Sequence, residues 1–348
     1  MNRISSWLPT SVDRRVRALA WASLVVQIIL VGTGGAVRLT GSGLGCPTWP
    51  QCTDGSFVST PEMGVHGIIE FTNRLLTFVI VVIAILAFVA VLRIRRERRD
   101  LFVLTLLQGL SIPLQAVVGG ITVLTGLNPY IVGVHFVISV GLVVVTTMLV
   151  YRVYSGPRSA AGIARSAAGA VDARSSALVE SLGSGGTGSG LELVVPRWYL
   201  ALSQVTAVFV GLTVVMGILT TGSGPHAGDA ATPRNGLDTD VMEHIHSYPA
   251  YATFALTLVL VLTAFVLKLP RRWPLALLAI ELVQIIVGLT QSRLGLPPAL
   301  VATHMILAAT LVAAMTATVL SVRRNPATPH SPSTSTIDFP ESAARPAK

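Results

Sequence analysis

The sequence predicts an all-α integral membrane protein of eight transmembrane helices, arranged as two pseudo-symmetric four-helix bundles that form a parallel internal repeat. Three observations predict this. Hydrophobic residues fill 52% of the 348 positions and charged residues only 12%, with a mean hydropathy of +0.70, too little polar surface for a soluble globule. Apolar stretches long enough to cross a hydrocarbon core of about 30 Å lie near 16–37, 65–92, 101–123, 131–152, 199–221, 241–267, 275–293 and 299–321. The halves also repeat: Gln115, Val118, Gly119, Leu127 and His135 return as Gln284, Val287, Gly288, Leu296 and His304 at a constant offset of 169. Glu70 and Asn73 match Glu243 and His246 at 173, and Thr40-Gly-Ser-Gly43 matches Thr221-Gly-Ser-Gly224 at 181, so motif order is kept while loops shorten.

The first span follows Arg3, Arg14, Arg15 and Arg17. It reads as a retained helix rather than a signal peptide, because it runs past 20 residues without a small-residue cleavage site. The net charge of +9 does not form a nucleic-acid patch, since 21 of the 25 Lys and Arg sit in the N-terminus, three alternate loops and the C-terminal tail. By the positive-inside rule both termini are cytoplasmic. Four spans per half make the halves insert in the same orientation, about an axis along the membrane normal. The expected organisation is an N-terminal four-helix half (1–154), a Ser/Gly/Ala-rich disordered cytoplasmic linker (155–196), a C-terminal four-helix half (197–324) and a disordered cytoplasmic tail (325–348).

The loop after the first span holds the two cysteines, Cys46 and Cys52. Its extracytoplasmic side is where disulfides persist, and five intervening residues with two prolines can close such a ring. A second pair of zinc ligands is absent from the loop. A staple for loop shape and a redox-active pair both remain open.

Helices two and six open from the outside on His66 and His246, and helices four and eight on His135 and His304. In each half a ligand from the second helix can face one from the fourth across the bundle interior. Iron held between two imidazoles is saturated, which suits electron transfer or tight retention of a heme. His246 with His304 fits that pattern fully. His244 projects to another face, and His226 and His330 read as exposed residues. Glu70 is an acid just below the outer end of helix two. Such a group costs about 2.5–3.5 kcal/mol at a helix centre and less near the interface, so it faces a cavity or a partner. It is either an ion pair with Arg74 at i+4 or an acid placed against a bound substrate. Arg38 and Arg74, near the same face, are candidate contacts for heme propionates.

Together these motifs resemble the heme A synthases, membrane enzymes that convert heme O to heme A. The resemblance is carried by Thr40-Gly-Ser-Gly-Leu-Gly-Cys46 with Cys52, Ile69-Glu70-Phe-Thr-Asn-Arg74, Gln115 through Gly120 with His135, Thr221 through Asp229, and His246 with His304, and it spans roughly residues 20–320. It implies a plasma-membrane protein with a heme b cofactor in the C-terminal half, ligated by His246 and His304. It further implies a substrate-heme site in the N-terminal half with His135 as a ligand and Glu70 as the essential acid, toward the extracytoplasmic face. The reaction would oxidise a ring methyl to a formyl group through a hydroxymethyl intermediate (heme I), with an unidentified electron acceptor. Heme O synthase, oxidase assembly factors and membrane lipid are the implied partners, and nucleic acid is not.

One departure is visible. Where the family has its first substrate-site histidine, this chain has Asn73, and a carboxamide is a poor iron ligand. His66, one turn before Glu70 on the same face, is the candidate replacement. The alternative is ligation by His135 alone. Two other classes compete: a diheme b-type cytochrome that carries electrons without modifying heme, and a transporter built from parallel repeats.

Overall fold

The structure, a computed structural model, describes residues 8–155 and 192–324. The expected tail and residues 156–191 of the expected linker, with His330, lie outside the described residues. Among the described residues, eight helices are long and apolar enough to cross a membrane: α1 Arg14–Leu39, α2 Gly64–Val91, α3 Arg99–Leu124, α4 Pro129–Tyr154, α5 Arg197–Ser223, α6 Thr239–Val266, α7 Arg272–Arg293 and α8 Pro298–Ser321. The chain is therefore a multi-pass membrane protein, and each expected span coincides with one helix to within three residues.

The ends follow ordinary capping chemistry. Asp13 accepts from the N–H groups of Arg15 and Val16 at the start of α1, and Asp238 from that of Val241 at the start of α6. Asn128 caps α4, with Pro129 at its first position. The α3–α4 and α7–α8 hairpins are copies of one turn. Leu127 and Leu296 both lie in the left-handed region (φ 59° and 61°), each after a glycine of positive φ. Their N–H groups close back on Thr122 and Gln291 at 2.8 Å. The repeated turn delivers a histidine to the same height on α4 and α8.

Helix contacts form two rings, α1–α2–α3–α4 and α5–α6–α7–α8, which meet through α1 against α8, α4 against α8 and α4 against α5. Gly32 and Gly35 of α1 allow the close approach, because a Cβ there would fall 2.8–2.9 Å from the side chains of Ile306 and Met305 on α8. At the disulfide end the two Thr-Gly-Ser-Gly copies are tied together. The Gly43 N–H donates to the Gly228 carbonyl at 2.8 Å, and Arg38 donates to the carbonyls of His226 and Thr221 at 2.6 and 2.9 Å. Outward faces are apolar, as with Leu75, Phe78, Val79, Val82 and Ile85 on α2, all exposed.

One boundary differs from expectation. Glu192–Leu193 pairs antiparallel with Arg323–Arg324, and Val195 is buried with Tyr199, Leu260, Ala264 and Val322. The apolar run 193–195 is what draws this stretch onto the bundle. The main N-terminal cluster, with Val16, Ala20, Leu101, Leu149 and Val153, lies at the end opposite the disulfide. Toward the disulfide end of the C-terminal ring, α6 has no buried residue before Thr253 and α7 none after Glu281. Packing thins where the histidines sit.

Candidate functional site

Three of the four expected ligand histidines occupy one repeated setting. The imidazoles of His246 and His304 face each other with ring centroids 6.3 Å apart and planes at 71°. Each ring rests on a glycine of the preceding helix. A Cβ at Gly217 would come 3.1 Å from His246, at Gly288 3.2 Å from His304, and at Gly119 3.3 Å from His135. Gln284 and Gln115 donate to the carbonyls of His304 and His135 at 3.1 and 3.5 Å. The residues that recur at the offset of 169 are thus the seat and brace of one histidine.

The Nδ1 atoms of His135, His246 and His304 are buried without a hydrogen-bond partner among the described residues, an expensive arrangement unless something else engages the ring. Two imidazoles bonded to one metal at about 2 Å each have centroids about 6 Å apart, so His246 and His304 fit a single iron. The glycine seat makes this testable. Gly217→Val, whose branched side chain must displace the His246 ring, is expected to lower the heme absorbance of purified protein. Gly211→Val, on the same helix with nothing within 4 Å of its Cβ, is expected to leave it unchanged.

The N-terminal ring is not a copy of this site. Asn73 stands at the repeat position of His246, its Oδ1 buried without a partner among the described residues. Extending the 181 offset puts Ala36 opposite Gly217, so both the imidazole and its glycine seat are absent. His66 is exposed at the mouth, its Nδ1 2.9 Å from the Ser42 hydroxyl. There it lines an open cavity of about 630 Å³ with Leu44, Pro47, Glu62, Met63 and Asp229. His226, expected to be exposed, is half-buried and donates from Nε2 to the Leu296 carbonyl at 2.8 Å, because it is caught between the two loop systems. His244 is exposed and bonds the Asp240 carbonyl.

Glu70, 5% exposed, is enclosed by the disulfide loop. Its Oε2 accepts from the Cys46 N–H at 2.7 Å and its Oε1 from Arg74 at 2.6 and 3.2 Å. Arg74 also donates to the carbonyls of Cys46, Thr48 and Gln51. Cys46 and Cys52 form the expected disulfide and are buried. Gly45 lies so close to the start of α2 that a Cβ would collide with the His66 carbonyl, and one at Gly120 would enter the Trp49 ring. The loop thereby roofs α3 beside Gly119 and His135. Both arginines expected at propionates direct donors to backbone carbonyls, Arg74 within this loop and Arg38 across the halves.

A sequence model of the COX15-CtaA family, described as cytochrome oxidase assembly protein, matches residues 17–195, about half of the chain. The chain belongs to this family. Among similar proteins, the heme A synthase of Lysinibacillus sphaericus is 32% identical over 148 residues, covering 40% of this chain and 47% of that protein. That of Bacillus pumilus is 32% identical over 139 residues, covering 39% and 44%. That of Listeria welshimeri is 30% identical over 135 residues, covering 38% and 44%. The matched segment thus spans about half the length of the curated relatives. Beyond the histidines and Glu70, the structure of this COX15-CtaA member adds groups that sequence reasoning passed over. Gly217 was not legible from the repeat, which has Ala36 at the matching position, whereas Glu281 was legible as an acid inside an apolar run. Trp49 carried no signal before the loop was folded onto α3.

Proposed function

We propose that the chain is a heme A synthase that oxidises a ring methyl of heme O to a formyl group, giving heme A for terminal oxidases. The observation that carries this is the asymmetry of two otherwise matched bundles: a facing imidazole pair 6.3 Å apart in the C-terminal ring, and Asn73 with His135 at the repeat positions of that pair in the N-terminal ring. His246 and His304 would hold heme b, which when bound would supply one-electron redox chemistry. In the N-terminal ring His135, seated on Gly119 and braced by Gln115, orients the substrate. His66, bonded to Ser42 through Nδ1 at the mouth, is the candidate second ligand, with ligation by His135 alone as the alternative. The Cys46–Cys52 loop excludes water by laying Trp49 over this wall. Glu70, held by the Cys46 N–H and paired with Arg74, supplies the carboxylate of this half, which would favour a reacting carbon that becomes electron-poor.

Each oxidation level adds one water oxygen to the methyl carbon and removes two electrons and two protons. Two rounds give a geminal diol that loses water to the aldehyde. The charge distribution supports cytoplasmic termini and sites toward the outer face of the plasma membrane. Heme O synthase and oxidase assembly factors are the expected neighbours. The test is expression in a host that makes heme O but no heme A, followed by chromatography of extracted hemes. Heme A, or its hydroxymethyl precursor, is expected only with the chain. Unchanged heme O beside a full low-spin heme spectrum would instead leave a diheme electron carrier.

A further inference from the structure

Glu281 is the one acid of α7 and stands at mid-helix, ten residues into a 22-residue span. It is 4% exposed. The Thr257 hydroxyl of α6 donates to Oε1 at 2.8 Å, and Oε2 is buried with no hydrogen-bond partner among the described residues. The ion pairs Arg74–Glu70 and Arg98–Asp100 do not involve it. A carboxyl is expensive at this depth and marks proton or ion pathways in membrane helices. Its N-terminal repeat position is Ile112, so the acid is not part of the shared bundle scaffold.

Its placement ties it to the imidazole pair. Glu281, Gln284 and Gly288 follow one stripe of α7 at i, i+3 and i+7. Gln284 bonds the His304 carbonyl, and Gly288 lies against the His304 ring, roughly 10 Å along the helix from Glu281. On α6, Thr257 continues a stripe from His246 through Thr253, whose hydroxyl lies 3.4 Å from that of Thr213. The helices packed against α7 are α6 and α8. From α8 the titratable group is His304. From α6 they are His246 and Glu243, the latter bonded to Ser292 near the disulfide end; Asp240, His244, Tyr248 and Tyr251 of α6 are exposed or at its mouth. No Lys or Arg of α6 or α8 reaches Glu281.

We propose that Glu281 is a proton-binding site coupled to the electron held between His246 and His304. This rests on heme b lying between those histidines. With heme b bound, its one-electron reduction would lower the charge between the histidines by one, and the Glu281 carboxylate would bind one proton from water. On reoxidation by an electron acceptor the carboxyl O–H bond would break and the proton would return to water. One electron and one proton move together, and no other bond changes. The Thr257 hydroxyl holds the ionised oxygen, while Oε2 receives the proton.

The experiment is a redox titration of the purified, heme-loaded chain at a series of pH values, with redox-difference infrared spectra of the same samples. The wild-type midpoint is expected to fall with rising pH by one proton per electron over a defined range, with a protonated-carboxyl band appearing on reduction. Glu281→Gln should keep the low-spin spectrum and lose both the slope and the band. Thr257→Val, a second variant, should shift the band and displace the pH range. A slope and band unchanged in Glu281→Gln, or a band insensitive to Thr257→Val if the glutamine variant does not fold, would overturn the assignment. A wild-type chain without low-spin heme would overturn the heme b site first, visible in the absorption spectrum before any titration.

Discussion

His246→Ala and His304→Ala are each expected to strip low-spin heme from the purified protein, by at least about tenfold, the scale on which even groups supporting a metal ligand act. The two rings are the only imidazoles among the described residues with facing centroids, 6.3 Å apart, and either substitution leaves one imidazole where two would hold the heme. His135→Ala, in the other ring of helices, should spare that heme. Pyridine hemochrome assay and the visible spectrum at equal protein concentration give the answer. Wild-type heme content in both variants would remove the pair as ligands.

Glu70→Gln is expected to reduce heme conversion by about a hundredfold, the cost of losing one preorganised electrostatic group at a reacting centre. The C-terminal low-spin heme should be retained. The substitution keeps the shape and the acceptor for Cys46, and removes the charge together with the acceptor that faces Arg74. The structure also gives Glu70 a structural task, because both oxygens are taken by Cys46 and Arg74. Arg74→Lys separates the two. It preserves a cation beside the acid while forfeiting the planar donors that serve three loop carbonyls, and it is expected to stay within about tenfold of wild type, a loosened loop costing less than a lost charge. If Arg74→Lys instead reproduces the whole loss, Glu70 acts by seating the loop and not on the substrate.

What was legible in the sequence follows from how membrane helices are specified. Hydrophobic runs of about 20 residues have one stable solution in lipid, so the eight spans and the repeat were readable to within a few residues. Matching offsets then placed His135 and His304 in one setting, and the structure supplies the reason: each carries its own glycine seat and glutamine brace. The disulfide was legible because the chain has two cysteines in one short loop. Where that loop docks was not, since it depends on Gly45 and Gly120 leaving room for backbone and for Trp49, contacts distant in sequence. The partners of Arg38 and Arg74 were equally hidden, because backbone carbonyls have no sequence signature. The pairing of residues 192–193 with 323–324 was missed because a low-complexity stretch precedes a short apolar run.

The most direct measurement follows both hemes through turnover in one sample. Purified protein carrying the proposed low-spin heme is loaded with heme O, supplied with an electron acceptor, and sampled over time by acid extraction and mass spectrometry. The proposed heme b serves as the internal reference. The expected result is that heme O is consumed, hydroxymethyl and then formyl products appear, and heme b stays constant in amount and mass. Heme O that remains unmodified while the bound heme is reversibly oxidised and reduced would contradict an oxidative role and leave the chain an electron carrier.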